Sequence, residues 1–324
     1  MTCILTTPEG KEVRENLVFG LRNLSVAAEM FCADKTPVFL MGRDVPAPPR
    51  VSSPTDPEPW RALFWLQKRH GLNLYVCRGW CPTEAAFQAA DETGIYLFVL
   101  LPPASCYGGD SGLRQDEGKA ALAQFGHHPS LAMLPLPQSC RDSRVLGAGW
   151  DQDGAAPGED VRFAALCEPA CPKEWKETLE TAQLNPGLGG LLLSLSRFPD
   201  EPPAPKGMFG AFRRQPVDLT LREWRSFCSE LVLLLDGPRQ GAPGKEWAGI
   251  LWVRSRLGQM ADCTIRWRAG GYSGTFRTPL DEGLHQAGKI RFPLPQAPSA
   301  GITAELEGTG FQNDWTIQIV GDLP

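Results

Sequence analysis

The sequence predicts a mixed α/β protein: a (β/α)8-like barrel, incomplete at about six strand–helix units where a full barrel has eight, followed by a small antiparallel β-sandwich. Three observations predict it. From Pro37 to Leu235 apolar runs alternate with segments of helical spacing. One run, Ile95-Tyr-Leu-Phe-Val-Leu-Leu101, is almost wholly apolar, as expected of a strand covered on both faces. Beyond Pro238 the apolar period changes to two. The expected divisions are a β lead-in over 1–35, the barrel-like domain over 36–236 and an Ig-like sandwich over 245–324.

The lead-in contains three β-type runs, Asn16–Gly20, Leu24–Phe31 and Pro37–Gly42. Thr55-Asp56-Pro57-Glu58 reads as a capping-box start, with the Thr55 oxygen and the Glu58 carboxylate available for the orphan N–H groups of a first helix, and Pro suits its first turn. Trp60, Leu63, Phe64 and Gln67 follow at helical spacing, and Gly71 is placed to end the helix in a left-handed turn. Leu72–Cys77 is the next strand. A second helix runs from Pro82 to Thr93, with Ala86, Phe87 and Ala90 on one face and Gly94 as its stop.

After the strand at 95–101 come a helix from Gly112 to Phe125 and a strand from Leu131 to Leu136. Between Gln138 and Val161 the chain is polar and Gly-rich, with room for one short element. Arg162–Cys167 is a strand, Lys173–Ala182 a helix, Leu188–Leu195 a strand, and Leu221–Leu235 a last helix opened by Asp218 or Thr220. Pro238–Gly244 is a linker. Beyond it Cys263, Ile265 and Trp267 alternate with polar neighbours, as do Trp315, Ile317 and Ile319.

Composition narrows the function classes. The chain has 324 residues, is 42% hydrophobic and 21% charged, and carries a net charge of −5. It can bury a core, and its acidity argues against a nucleic-acid partner. No apolar run approaches the roughly 20 residues of a membrane span. The first residues lack the basic and apolar regions of a signal peptide, so an intracellular product, cytoplasmic by default, or a fragment with an upstream start is expected. Ten cysteines include two CxxxC pairs, Cys77/Cys81 and Cys167/Cys171. Thiolate zinc sites use tighter spacing with supporting His, so free thiols packed as small hydrophobes are expected, with no metal and no cofactor.

Four runs carry a family resemblance. Trp80-Cys-Pro-Thr-Glu-Ala-Ala-Phe87, followed by Ala90-Asp-Glu-Thr-Gly-Ile-Tyr96, resembles the second strand–helix unit of family 2-like glycoside hydrolases, the β-galactosidase/β-glucuronidase superfamily. Phe125-Gly-His-His-Pro-Ser-Leu131 is similar to the run that leads into their fourth strand. Leu188–Pro199 resembles their final strand, and Gly308–Trp315 a motif near the end of their C-terminal sandwich. The resemblance runs from about Phe19 to Val320, and a barrel and sandwich without the jelly roll that precedes the barrel in that family are expected.

The resemblance implies a carbohydrate-metabolism hydrolase, a TIM barrel with a β-sandwich, and a glycan or glycoside partner. Such hydrolysis needs two carboxyl groups, roughly 5 to 10 Å apart. At the place of the family's general acid this chain has Gln138-Ser139, and a serine hydroxyl does not act as an acid near neutral pH. The family's nucleophile corresponds to Glu168, in Leu166-Cys167-Glu168-Pro169. Val76 and Leu100 stand where the family carries a cation and an acid, and Ser194 and Arg197 stand where it carries acids.

Asp142 is a weak substitute acid. Asp44, Asp110, Asp200 and Glu201 also follow strand ends, where solvated loop carboxylates are common. Trp80 and Trp150 have faces that could stack on a sugar, Arg78 is a rim cation, and Gln138 can still hydrogen-bond. His127 and His128 belong to a helix-to-strand turn. The resulting expectation is a glycosidase scaffold of weak or absent activity, a pseudoenzyme, that either binds a glycan weakly at the C-terminal face of the barrel or is a decaying copy. Two other readings stand beside it: an active retaining β-glycosidase using Glu168, and a non-catalytic protein-interaction scaffold. Sugar, linkage and oligomeric state are not legible.

Overall fold

The computed structural model describes residues 2–8, 10–16, 23–27, 30–46, 54–102, 104–134, 163–167, 172–194 and 219–321. The chain opens with an antiparallel pair, β1 (Thr2–Thr6) and β2 (Glu12–Asn16), and a three-stranded antiparallel sheet of β3 (Leu24–Ala27), β4 (Met30–Ala33) and β5 (Thr36–Pro37). The single strand expected over Leu24–Phe31 is therefore a hairpin. Ala27 pairs with Met30, so its backbone groups find partners within the segment.

The central part alternates as predicted: β6 (Leu40–Pro46), α1 (Pro57–Arg69), β7 (Leu74–Arg78), α2 (Glu84–Thr93), β8 (Tyr96–Leu100), α3 (Ser111–Phe125) and β9 (Leu131–Met133). After the segment 135–162, which lies outside the described residues, come β10 (Phe163–Cys167), α4 (Pro172–Gln183) and β11 (Gly190–Ser194). These strands form one six-stranded parallel sheet in the order β10-β11-β6-β7-β8-β9.

The helix boundaries follow local chemistry. Asp56 caps α1 by accepting from Glu58 N, Pro57 occupies the first turn, and Trp60 and Phe64 are fully buried. At its other end Leu72 N donates to Gln67 O and Gly71 N to Lys68 O. This is the paired Schellman closure, with Gly71 at φ 75°. Gly94, at φ 71°, ends α2, and Asp110 caps α3 by accepting from Gly112 N and Leu113 N.

The parallel sheet is strongly curled. Phe98 on β8 and Phe163 on β10 lie 5.8 Å apart edge to face, although three strands separate β8 from β10. A flat sheet would hold them about 19 Å apart at ~4.8 Å per strand. Phe31 from β4 packs edge-on against Tyr96 and Phe98, at 5.5 and 6.3 Å, and fills the hollow of the curl near the start of β8. Among the described residues β9 and β10 are the two edges of this sheet.

The last predicted helix is shorter than expected. α5 (Leu221–Phe227) opens on a Thr220/Glu223 capping box and stops, and Leu231-Val-Leu-Leu-Leu-Asp236 is a strand, β12. A short apolar run has the same composition in a buried helix and a buried strand. Here it pairs antiparallel with β14 (Glu246–Ser255) along its whole length, which satisfies the backbone groups on the side that faces β14. The expected linker holds β13 (Gln240–Gly241), and β15 (Met260–Ala269), β16 (Tyr272–Leu280), β17 (Gly283–Pro293), β18 (Ser299–Leu306) and β19 (Gln312–Ile319) follow.

These strands form a three-stranded sheet, β12-β14-β17, and a five-stranded sheet, β13-β19-β18-β15-β16. Both feed one apolar cluster that includes Leu233, Leu251, Ile265, Ile290, Ile302 and Ile317. A separate cluster, with Phe39, Met41, Leu191, Leu193, Trp175 and Trp224, lies between the parallel sheet and helices α4 and α5. No helix among the described residues is long and apolar enough to cross a membrane.

Buried polar groups join the parallel sheet's helices to the antiparallel sheets. The Glu180 carboxylate on α4 accepts from Asn313 Nδ2 at 2.7 Å, from Trp315 Nε1 at 2.9 and 3.1 Å, and from Arg239 Nη2 at 3.3 Å. Burial pushes its pKa up against the opposing pull of Lys176, Asn313, Trp315 and Arg239. Arg254 lies over the Phe39 ring at 4.4 Å and donates through Nε to Gln183 O at 3.1 Å. Arg256 Nη2 donates to Gly71 O at 2.6 Å.

Candidate functional site

Open parallel sheets carry their sites at the carboxyl ends of the strands, where loops converge and backbone groups are left unpaired. In this chain the charged groups of the described strand ends stand on β6 and β7. Within the last three residues of each described parallel strand, Asp44 is the only acid and Arg78 is a cation on the neighbouring strand. Arg78 Nε lies 3.0 Å from both Asp44 carboxylate oxygens, and Nη2 lies 2.8 Å from Oδ2. The pair is partly buried, with Asp44 13% and Arg78 31% exposed. Two opposite charges joined this closely leave little net field at the edge.

The following turn is held just as firmly. Gly79, at φ 78°, turns the chain out of β7, and its N–H donates to Leu100 O at 2.6 Å. Trp80 donates through Nε1 to Val45 O at 3.2 Å, and its ring stacks on Trp60 at 6.4 Å. Arg78 and Trp80 thus both grip the end of β6. Of the residues singled out from sequence, the structure brings these two together with Asp44. Asp110 serves as the cap of α3. Glu168, Asp142, Gln138, Ser139, Trp150, Arg197, Asp200 and Glu201 lie outside the described residues.

Val76 is fully buried. A cation does stand on β7, but at Arg78, two residues on and therefore on the same strand face. Cys77 and Cys81 are free thiols. Burial raises the Cys77 pKa well above the usual thiol value and pushes that of Cys81 up to about 12, so both stay protonated. Replacing Asp44 with Asn is expected to lower stability by about 1–2 kcal/mol, because Arg78 loses a charge-assisted pair at a partly buried site. A fall in the urea midpoint at constant m-value checks this.

Sequence reasoning passed over a second polar cluster. His128, 6% exposed, sits in the turn before β9, with Nδ1 2.7 Å from Asp91 Oδ2 and Nε2 2.9 Å from Glu84 Oε1. Asp91 Oδ1 also accepts from Ser130 N at 2.9 Å. Burial alone would depress the imidazole pKa, but the bond to Asp91 and the charges of both acids outweigh it, and the pKa is raised. The signal in the sequence was the spacing of Glu84 and Asp91, seven residues apart and so on one face of α2. These residues belong to the runs that carried the family resemblance, and the clamp gives those runs a structural role.

A groove of about 1020 Å³ lies elsewhere, between α5 and the five-stranded sheet. It carries Lys176, Arg222, Arg266 and Arg268 beside Glu223, Glu305 and Asp314, and it shares no residue with the strand-end site.

No protein-family model matches the chain, and no curated protein matches it. Among solved structures it is similar to β-glucuronidase 3 of Bacteroides uniformis, at 14% identity and TM-score 0.44 over 99% of this chain and 54% of that one. It is also similar to a Parabacteroides merdae β-glucuronidase, at 13% identity and TM-score 0.45 over 98% of this chain and 54% of that one. A glycosyl hydrolase family 2 member from Bacteroides cellulosilyticus is similar at 12% identity and TM-score 0.41, over 97% of this chain and 50% of that one. The chain thus spans about half the length of these structures. At identities of 12–14% and TM-scores of 0.41–0.45 the likeness assigns neither family nor activity to it.

Proposed function

We propose that the chain is a glycosidase-type scaffold that binds a glycan weakly at the carboxyl edge of its parallel sheet and does not cleave it. The observation that carries this reading is the Asp44–Arg78 pair: the acid within the described strand ends is held by two guanidinium nitrogens rather than left open toward a substrate. A carboxylate whose two oxygens both face a guanidinium nitrogen is not placed within hydrogen-bond reach of a glycosidic oxygen. The sequence supports the same reading, since Gln138-Ser139 stands where the resembled family carries its general acid. Glu168 alone does not supply the two carboxyl groups that acetal cleavage requires. In this proposal the curled sheet is an incomplete barrel, and the antiparallel sheets form a sandwich domain appended to it.

The experiment is a panel of aryl β-glycosides, including a β-glucuronide, incubated with the intact protein. Release of the aryl group is expected to match the buffer rate for the chain and for Glu168→Gln alike. Turnover that Glu168→Gln abolishes would overturn the proposal and make the chain a working hydrolase.

A further inference from the structure

We propose that Glu84, His127 and His128 form a binding site for a divalent transition-metal ion of the zinc class. Their donor atoms lie within 4.8 Å of one another. The arrangement has the parts such a site needs. His128 Nδ1 is held by Asp91 at 2.7 Å, which fixes the ring's tautomer and directs Nε2 toward Glu84. A carboxylate behind a histidine in this way is the usual outer support of a histidine–metal bond. Asp91 is itself anchored by Ser130 N. The Phe87 ring stacks on His128 at 5.2 Å and restricts its rotation.

His127 supplies the third donor. Its ring lies 4.1 Å from that of His128 at a tilt of 38°. It is exposed, and Glu84 is 42% exposed, so an ion has an entry path and room for water ligands. Donor atoms around tetrahedral zinc are about 3.4 Å apart at bond lengths of ~2.1 Å. The widest donor separation therefore needs to close by at most about 1.4 Å, and the 2.9 Å pair of His128 Nε2 and Glu84 Oε1 to open by about 0.5 Å. On binding, the ion replaces the proton between His128 Nε2 and Glu84 Oε1, and that proton leaves to solvent. The product ties the start of α2 to the turn before β9. The inference is independent of the proposed glycan binding.

The test uses the full chain stripped with chelator and titrated with Zn²⁺ by calorimetry and with Co²⁺ by absorption. Saturable binding is expected, with Co²⁺ bands of nitrogen and oxygen ligation and no thiolate charge-transfer band. His127→Ala, at an exposed position, is expected to weaken binding about tenfold or more while leaving thermal unfolding of the metal-free chain unchanged. Glu84→Gln is expected to weaken it similarly. No saturable binding, binding unaffected by His127→Ala, or a thiolate band would each overturn the proposal.

Discussion

Glu180→Ala is expected to destabilise the chain by about 3–5 kcal/mol, the range for removing one partner from a buried charged network. The carboxylate is 1% exposed and accepts from Asn313 Nδ2 and Trp315 Nε1. Trp315 Nε1 would lose its acceptor and Asn313 Nδ2 one of its two, keeping Leu233 O at 2.8 Å, and an unpaired buried donor costs about 1–3 kcal/mol. Arg239 would lose its counter-charge as well. A fall of this size in the urea-unfolding free energy checks the claim, and a loss below about 1 kcal/mol would show that water or neighbouring carbonyls replace the carboxylate.

The same residue sets a pH dependence of definite sign. Its folded pKa is raised by burial, so the unfolded chain releases this proton first as pH rises. Stability from this group is therefore greatest below the ordinary carboxyl value and falls as pH climbs from there toward the folded pKa. Glu180→Gln removes that slope while retaining one acceptor oxygen.

Gly71→Ala is expected to destabilise by about 3 kcal/mol or more. Two effects add. The residue has φ 75°, where a side chain costs roughly 1–2 kcal/mol. A Cβ there would also meet Cys228 O at 2.5 Å and Ser229 Cα at 2.6 Å, both backbone atoms that cannot rotate away. Gly94→Ala is the control. It has φ 71°, but its Cβ would meet only the flexible Lys68 Nζ, at 3.3 Å. Its loss should stay near the conformational part alone, about 1–2 kcal/mol. Equal losses for the two variants, compared by denaturant midpoint, would remove the crowding argument.

Much of the architecture was legible because its signals are local. Pro57, Gly71 and Gly94 mark helix ends through their own backbone chemistry, and the apolar run at 95–101 announces a strand covered on both faces. Leu231–Leu235 was not legible, since five apolar residues suit helix and strand equally until a partner strand is known. The site was read less fully. Arg78 and Trp80 were singled out, but their attachment to Asp44 and Val45 spans 34 and 35 residues of chain. The His128 clamp spans 37 and 44 residues, and no spacing rule joins segments that far apart.

Residue order alone was enough to set where α1, α2 and β8 begin or end, because caps, left-handed glycines and apolar periodicity act within a turn or two. Folding in three dimensions settled which strands pair, that Asp44 faces a guanidinium rather than open solvent, and that Glu180 ends up buried beneath Trp315. Those outcomes depend on low-dielectric surroundings assembled from distant segments. A carboxylate's protonation and partners follow from that environment and not from its immediate neighbours in the chain.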